Sequence, residues 1–93
     1  MATVSITRKH TLGLERAKRV SQIVVDKLSE KFGLESAWVG NSLTFTRQGV
    51  DGRLDVTETA VDVRIELGLM LAAFAGPIEQ QISASIDKAI AAG

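Results

Sequence analysis

Cysteine is missing from this 93-residue chain. That removes both a disulfide framework and any thiolate metal site. Histidine occurs once, at His10, so no second imidazole is available to complete a metal site. Tyrosine is absent, and Trp38 with three phenylalanines makes up the whole aromatic complement. Eleven Lys/Arg balance eleven Asp/Glu. The stacking aromatics and basic surplus of a nucleic-acid binder are therefore both missing, and no nucleic-acid partner is expected. No apolar run approaches the ~20 residues of a membrane-spanning helix, so no integral membrane segment is expected. The opening MATVSITRKH lacks the apolar centre of a signal peptide, which makes the cytoplasm the expected compartment. A chain of this length reads as a single small domain, 1–93, with one core.

The charge is balanced in total but unevenly spread. Residues 1–32 hold seven Lys/Arg and three Asp/Glu; residues 33–93 hold four and eight. The excess is thus +4 (7 − 3) in the first part and −4 (4 − 8) in the second. The simplest consequence is attraction between the two halves across the fold.

Periodicity supplies the elements. Val4 and Ile6 alternate with Thr3, Ser5 and Thr7, which predicts a half-buried strand from Thr3 to Lys9. Thr11 is placed as the N-cap of the next element. From Leu12 to Phe32 the period becomes that of a helix. Leu14, Ala17, Val20, Ser21, Val24, Val25, Leu28 and Phe32 share one arc, and Gly33 stands at the C-cap. Ile23 alone breaks the pattern, among the charges.

Strands follow. Gly40-Asn41 is a two-residue hairpin signal between Ser36–Val39 and Ser42–Thr46. That turn sets Trp38 opposite Leu43 and Ser36 opposite Phe45. Gly49-Val50-Asp51-Gly52 reads as a turn or a short glycine-hinged loop. A turn at Glu58-Thr59 pairs Val56 with Val61 and Leu54 with Val63, leaving Arg53, Asp55, Asp62, Arg64 and Glu66 on a solvated face. Ile78, Ile82, Ile86 and Ile90 are spaced by four and predict a second amphipathic helix, with Gly76 and Pro77 at its N-cap and first position. The order β-α-β-β-β-β-α predicts an α+β two-layer sandwich: an antiparallel sheet with both helices packed on one face.

One stretch does not fit that simple core. LGLMLAAFAGPI, residues 67–78, has no side chain that ionises or hydrogen-bonds. It is too short to span a membrane and apolar all round, unlike a surface helix. Leu71, Phe74, Ile78 and Ile82 fall on an arc that can face the sheet, whereas Leu69 and Met70 lie off it. Leu69, Met70, Leu71 and Phe74 are therefore the candidate contact surface, and Trp38, Phe45, Ile78 and Ile82 the candidate core or ligand-facing set. Surplus apolar side chains on a small domain also predict a homodimer.

No catalytic constellation emerges. His10 would need a carboxylate partner to act as a base, and no nucleophile reads beside it. Asp51 and Asp55 are a turn residue and a solvated strand residue. The glycines are scattered at turns and caps and form no phosphate cradle. The expectation is a protein that is not an enzyme and uses neither cofactor nor metal.

Several segments taken together resemble the polyhydroxyalkanoic acid system family, also called granule-region proteins. They are Arg8-Lys9-His10 with Leu12-Gly13-Leu14-Glu15 and Ala17; Lys31-Phe32-Gly33-Leu34 followed by Trp38; Gly49-Val50-Asp51-Gly52; and Glu66-Leu67-Gly68 leading to Gly76-Pro77-Ile78-Glu79. The resemblance runs nearly the full length, in order. It implies a small bacterial accessory protein of the storage-polyester granule, encoded near polyhydroxyalkanoate synthesis genes. The partners it implies are the granule surface or granule-associated proteins. The element order is also similar to a reduced helix-grip fold. Two functions follow as expectations. One is a non-enzymatic accessory protein that contacts the granule or its coat proteins through an apolar surface. The alternative is a binding module for a small hydrophobic acyl or hydroxy acid, gripped between sheet and C-terminal helix. A cavity of ~300 Å³ or more favours the second, and a filled core the first.

Overall fold

The computed structural model describes residues 2–92. Five strands, β1 (Ala2–Lys9), β2 (Glu35–Val39), β3 (Ser42–Arg47), β4 (Val50–Val56) and β5 (Ala60–Leu67), form one sheet. Two helices, α1 (Gly13–Phe32) and α2 (Ala75–Ala92), accompany it, with a 3-10 helix at Leu69–Phe74 leading into α2. The sheet order is β1-β5-β4-β3-β2, and every pair is antiparallel. The expected α+β two-layer sandwich is the architecture observed.

Local chemistry explains most of these elements. Gly40 takes φ 62° at the β2–β3 turn, a conformation open to glycine at no steric cost. The register is the one that turn dictates: Trp38 opposite Leu43, Ser36 opposite Phe45. The β4–β5 turn likewise pairs Val56 with Val61 and Leu54 with Val63. Glu58-Thr59 is poor hairpin chemistry by itself. Here the Thr57 hydroxyl supports the turn, accepting from the Ala60 N–H at 3.0 Å and donating to the Ala60 carbonyl at 3.1 Å. Helix α1 ends on Gly33 in the left-handed region, with its N–H bonded to the Ser29 carbonyl at 2.8 Å.

The inner face of the sheet supplies Val4, Ile6, Leu43, Phe45, Leu54, Val56, Val61, Val63, Ile65 and Leu67, all buried. The helices meet it with Ala17, Val20, Val24, Val25, Leu28, Ile82 and Ile86. The outer face is polar, as expected. Arg53 donates to Asp55 at 2.8 Å. The Ser42 hydroxyl, donating to the Asp55 carboxylate, is the main reason that its pKa lies below the ordinary value; desolvation opposes it, and Arg53 adds smaller lowering contributions.

Four local readings need correction. Thr11 is not the cap of α1: Leu12 occupies that position with no side-chain cap of its own. His10 does the capping instead. Its Nδ1 accepts the Leu12 N–H at 3.1 Å, and its Nε2 lies 3.0 Å from the Thr57 carbonyl. A backbone N–H can only donate and a carbonyl only accept, so Nδ1 is the acceptor and Nε2 the donor in this pair of bonds. The turn lies at Gln48-Gly49, so of Gly49–Gly52 only Gly49 belongs to it, and Val50, Asp51 and Gly52 are already in β4. Gly52 pairs with Phe45, whose ring lies across the neighbouring strand where a Cβ at residue 52 would stand. Helix α2 begins at Ala75, so Gly76 and Pro77 fall inside its first turn, where an N–H has no helical partner to lose. Trp38, finally, is half-buried: it packs against the edge of the core and lies along the flank of α1. Its Nε1 donates to Gln22 Oε1 at 2.6 Å, and Lys18 Nζ sits 4.9 Å from its ring centroid.

The buried His10 therefore stitches the β1–α1 junction to the β4–β5 turn, reinforced by its own N–H bond to the Thr59 carbonyl at 2.9 Å. His10→Ala strands a carbonyl and an N–H together. We expect it to lower the unfolding free energy by about 1–2 kcal/mol, read as a reduced urea midpoint at unchanged slope. A midpoint equal to that of the parent protein would dismiss this role.

Candidate functional site

The end of the sheet where β5 stops is the unusual part of the molecule. Gly68 is extended there, and its N–H donates to the Gly49 carbonyl at 2.9 Å. Its own carbonyl accepts from Leu71 at 3.0 Å, starting the 3-10 helix. No side chain of Leu69–Phe74 can satisfy a helix end, so this run folds as a tight connector before α2 takes over.

The connector divides its apolar residues between two environments. Leu71 turns inward and packs against the core. Its Cδ1 lies 3.3 Å from the position a Cβ would take on Gly49, whose φ is 83°. Leu69, Met70 and Phe74 are 81%, 92% and 54% exposed. The predicted contact set is thus reduced by one: Leu71 is a packing residue, because a 3-10 turn points its side chain back over the sheet rim. The remaining three form an uncovered apolar patch of the kind that marks interaction sites.

Behind the connector the sheet and helices do not close. They leave an apolar cleft of about 300 Å³. Phe45, Val50, Ile65 and Leu67 form its floor, Leu28, Phe32 and Leu34 one wall, and Leu71, Phe74, Pro77, Ile78 and Ile82 the other. Of the candidate core or ligand-facing residues, Phe45, Ile78 and Ile82 are brought together here. Trp38 is not among the lining residues. The cleft owes its depth to Gly52. With no Cβ beneath it, the Phe45 ring lies flat on the sheet instead of rising toward the helices.

Two polar groups stand at the rim, Arg47 and Gln81. Arg47 Nη1 donates to the Phe32 carbonyl at 2.7 Å, tying the end of β3 to the end of α1. Gln81 Oε1 accepts from Lys31 Nζ at 3.2 Å, tying α1 to α2. Neither cation pairs with a carboxylate among the described residues. Sequence reading passed over both, although a signal existed. Leu43, Phe45 and Arg47 alternate on one face of β3, so a charge sits where the buried face of the strand runs out.

No group of three or more metal-ligating side chains occurs among the described residues. His10 lies in the β1–α1 junction on backbone partners alone and is not among the cleft-lining residues. Among the described residues, no helix is long and apolar enough to cross a membrane.

Fold and site together define a small α+β sandwich with an apolar cleft and an exposed apolar turn at one end of its sheet. The chain belongs to the family described as "putative polyhydroxyalkanoic acid system protein", whose model matches residues 4–90. No curated protein and no solved structure is similar enough to match it, so the helix-grip comparison rests on element order alone.

Proposed function

We propose that this protein is a non-enzymatic accessory protein of the polyhydroxyalkanoate storage system, working in the cytoplasm and docking on the polyester granule. The observation that carries the reading is the exposure of Leu69, Met70 and Phe74 on one short turn. Family membership supplies the system in which the patch would be used. A storage polyester presents ester and alkyl surface with little charge. An exposed apolar patch fits such a surface better than it fits a hydrated protein coat. Methionine adds an unbranched side chain that adapts to an irregular contact.

Co-sedimentation with polyester granules stripped of their proteins tests this. The parent protein is expected in the pellet. Met70→Glu puts a charge on a side chain that is almost fully exposed, so the fold is retained by circular dichroism and the protein moves to the supernatant. A folded Met70→Glu protein that still pellets would refute the docking role. Two other uses of the patch give different results. A coat protein as the receptor requires native, unstripped granules for pelleting. Pairing of two copies gives a species of twice the monomer mass by sedimentation velocity, lost in the Met70→Glu sample.

A further inference from the structure

We propose that the cleft is a binding site for one straight-chain aliphatic carboxylic acid, with its chain between sheet and α2 and its carboxylate on Arg47. It takes up the ligand-binding alternative, whose threshold of ~300 Å³ the cleft reaches, and of the exposed patch only Phe74 also lines the cleft.

Volume comes first. About 300 Å³ of space is at the small end of ligand pockets, which run from ~300 to ~1,000 Å³. A methylene fills roughly the space of a liquid water, ~30 Å³, so the cleft holds on the order of ten chain atoms. The lining is aliphatic and aromatic except at the rim. A chain with polar groups along its length would leave them unpaired there, at a desolvation cost. A plain alkyl chain leaves none.

Charge then selects the head group. Arg47 spends one N–H on the Phe32 carbonyl and keeps further donors of its planar fork for an incoming group. A planar carboxylate matches that fork with two parallel hydrogen bonds. Lys31, hydrogen-bonded to the rim residue Gln81, adds a second positive charge without a carboxylate partner among the described residues. An alcohol or a methyl ester would fill the same apolar space but leave both cations unmatched. A second copy of the chain inserting Phe74 would present the run 67–78, which holds no carboxylate. The acid is the occupant that satisfies both ends.

Calorimetric titration of the purified full chain with hexanoate, octanoate and decanoate, and with 1-octanol as the uncharged control, tests the proposal without granules. Affinity is expected to rise about fourfold per methylene, the equivalent of ~0.8 kcal/mol. Octanoate should bind at least about tenfold more tightly than octanol, as a charge-assisted hydrogen bond implies. Arg47→Gln should erase the preference for the acid and leave octanol binding unchanged. Ile78→Trp fills the cleft from its half-exposed wall and should abolish binding of both, with the circular dichroism spectrum retained. The proposal is overturned if folded parent protein binds none of the acids, if affinity does not depend on chain length, or if Arg47→Gln weakens acid and alcohol alike. Granule docking through Met70 is read in a separate assay, so either reading can fail alone.

Discussion

Phe45→Ala should lower the unfolding free energy by about 3–5 kcal/mol, the usual cost of removing a buried phenylalanine. Phe45 is 1% exposed, and its ring covers both the floor of the cleft and the bare backbone of Gly52. Its loss exposes that backbone and joins the vacated space to an existing opening, which limits relaxation. The partner substitution makes the prediction sharper. Gly52→Ala alone should cost about 1–3 kcal/mol, because the new methyl falls where the ring now lies and drives it toward α2. Gly52 has no positive φ, so the ring is the obstacle, not the backbone. In a Phe45→Ala background the same Gly52→Ala change should be near neutral. A double-mutant cycle in urea would show coupling of about 1–3 kcal/mol. Additive effects would mean that the ring does not depend on the missing Cβ.

Ile82→Ala should cost about 2–4 kcal/mol. Ile82 is 1% exposed and lies where α2 crosses the sheet. Removing three carbons loses burial and leaves a void that rigid strands cannot fill. In a domain whose total stability is on the order of 5–15 kcal/mol, either this change or Phe45→Ala leaves a protein near the edge of folding. Circular dichroism across a urea gradient measures both. A midpoint shift for Ile82→Ala no larger than that of a surface substitution, ~0.5 kcal/mol, would show that this face of α2 is not packed.

The parts of this fold written in short-range chemistry were readable from residues alone. Gly40-Asn41 specified its hairpin and, through it, which side chains of β2 and β3 share a face. The spacing of Val20, Val24 and Leu28 placed the inner stripe of α1, and the isoleucines did the same for α2. The residues misread are those whose roles come from across the fold. Gly52 looks like turn glycine until Phe45 is laid over it from the next strand. His10 looks like a stray base until the Thr57 carbonyl arrives from a turn far along the chain. Trp38 looks like core, yet its indole N–H needs an acceptor and finds Gln22 on the outer flank of α1. The apolar run at 67–78 was visible as an anomaly, and Leu69 and Met70 were correctly separated from the inward-facing arc. The opening behind them was not legible, because no local pattern records where packing fails to close.

The sheet order carries a consequence for how the chain reaches this state. Strands β2 to β5 form a meander in which each hairpin can zip onto the one before it. β1 is different: Val4 finds its partner in Ile65 on β5, after the chain has run along α1 to the opposite edge and back. Helix α2 then seats on β1, with Arg8 and Asp87 in contact at 2.9 Å. The first strand and the last helix are therefore expected to become native late, after the strands between them. Closing so long a loop adds little to the free-energy difference, since each doubling of loop length costs only ~0.6 kcal/mol. Its effect falls on speed: non-local pairing of this kind slows folding, and until it is complete β5 offers an open edge to any other extended chain.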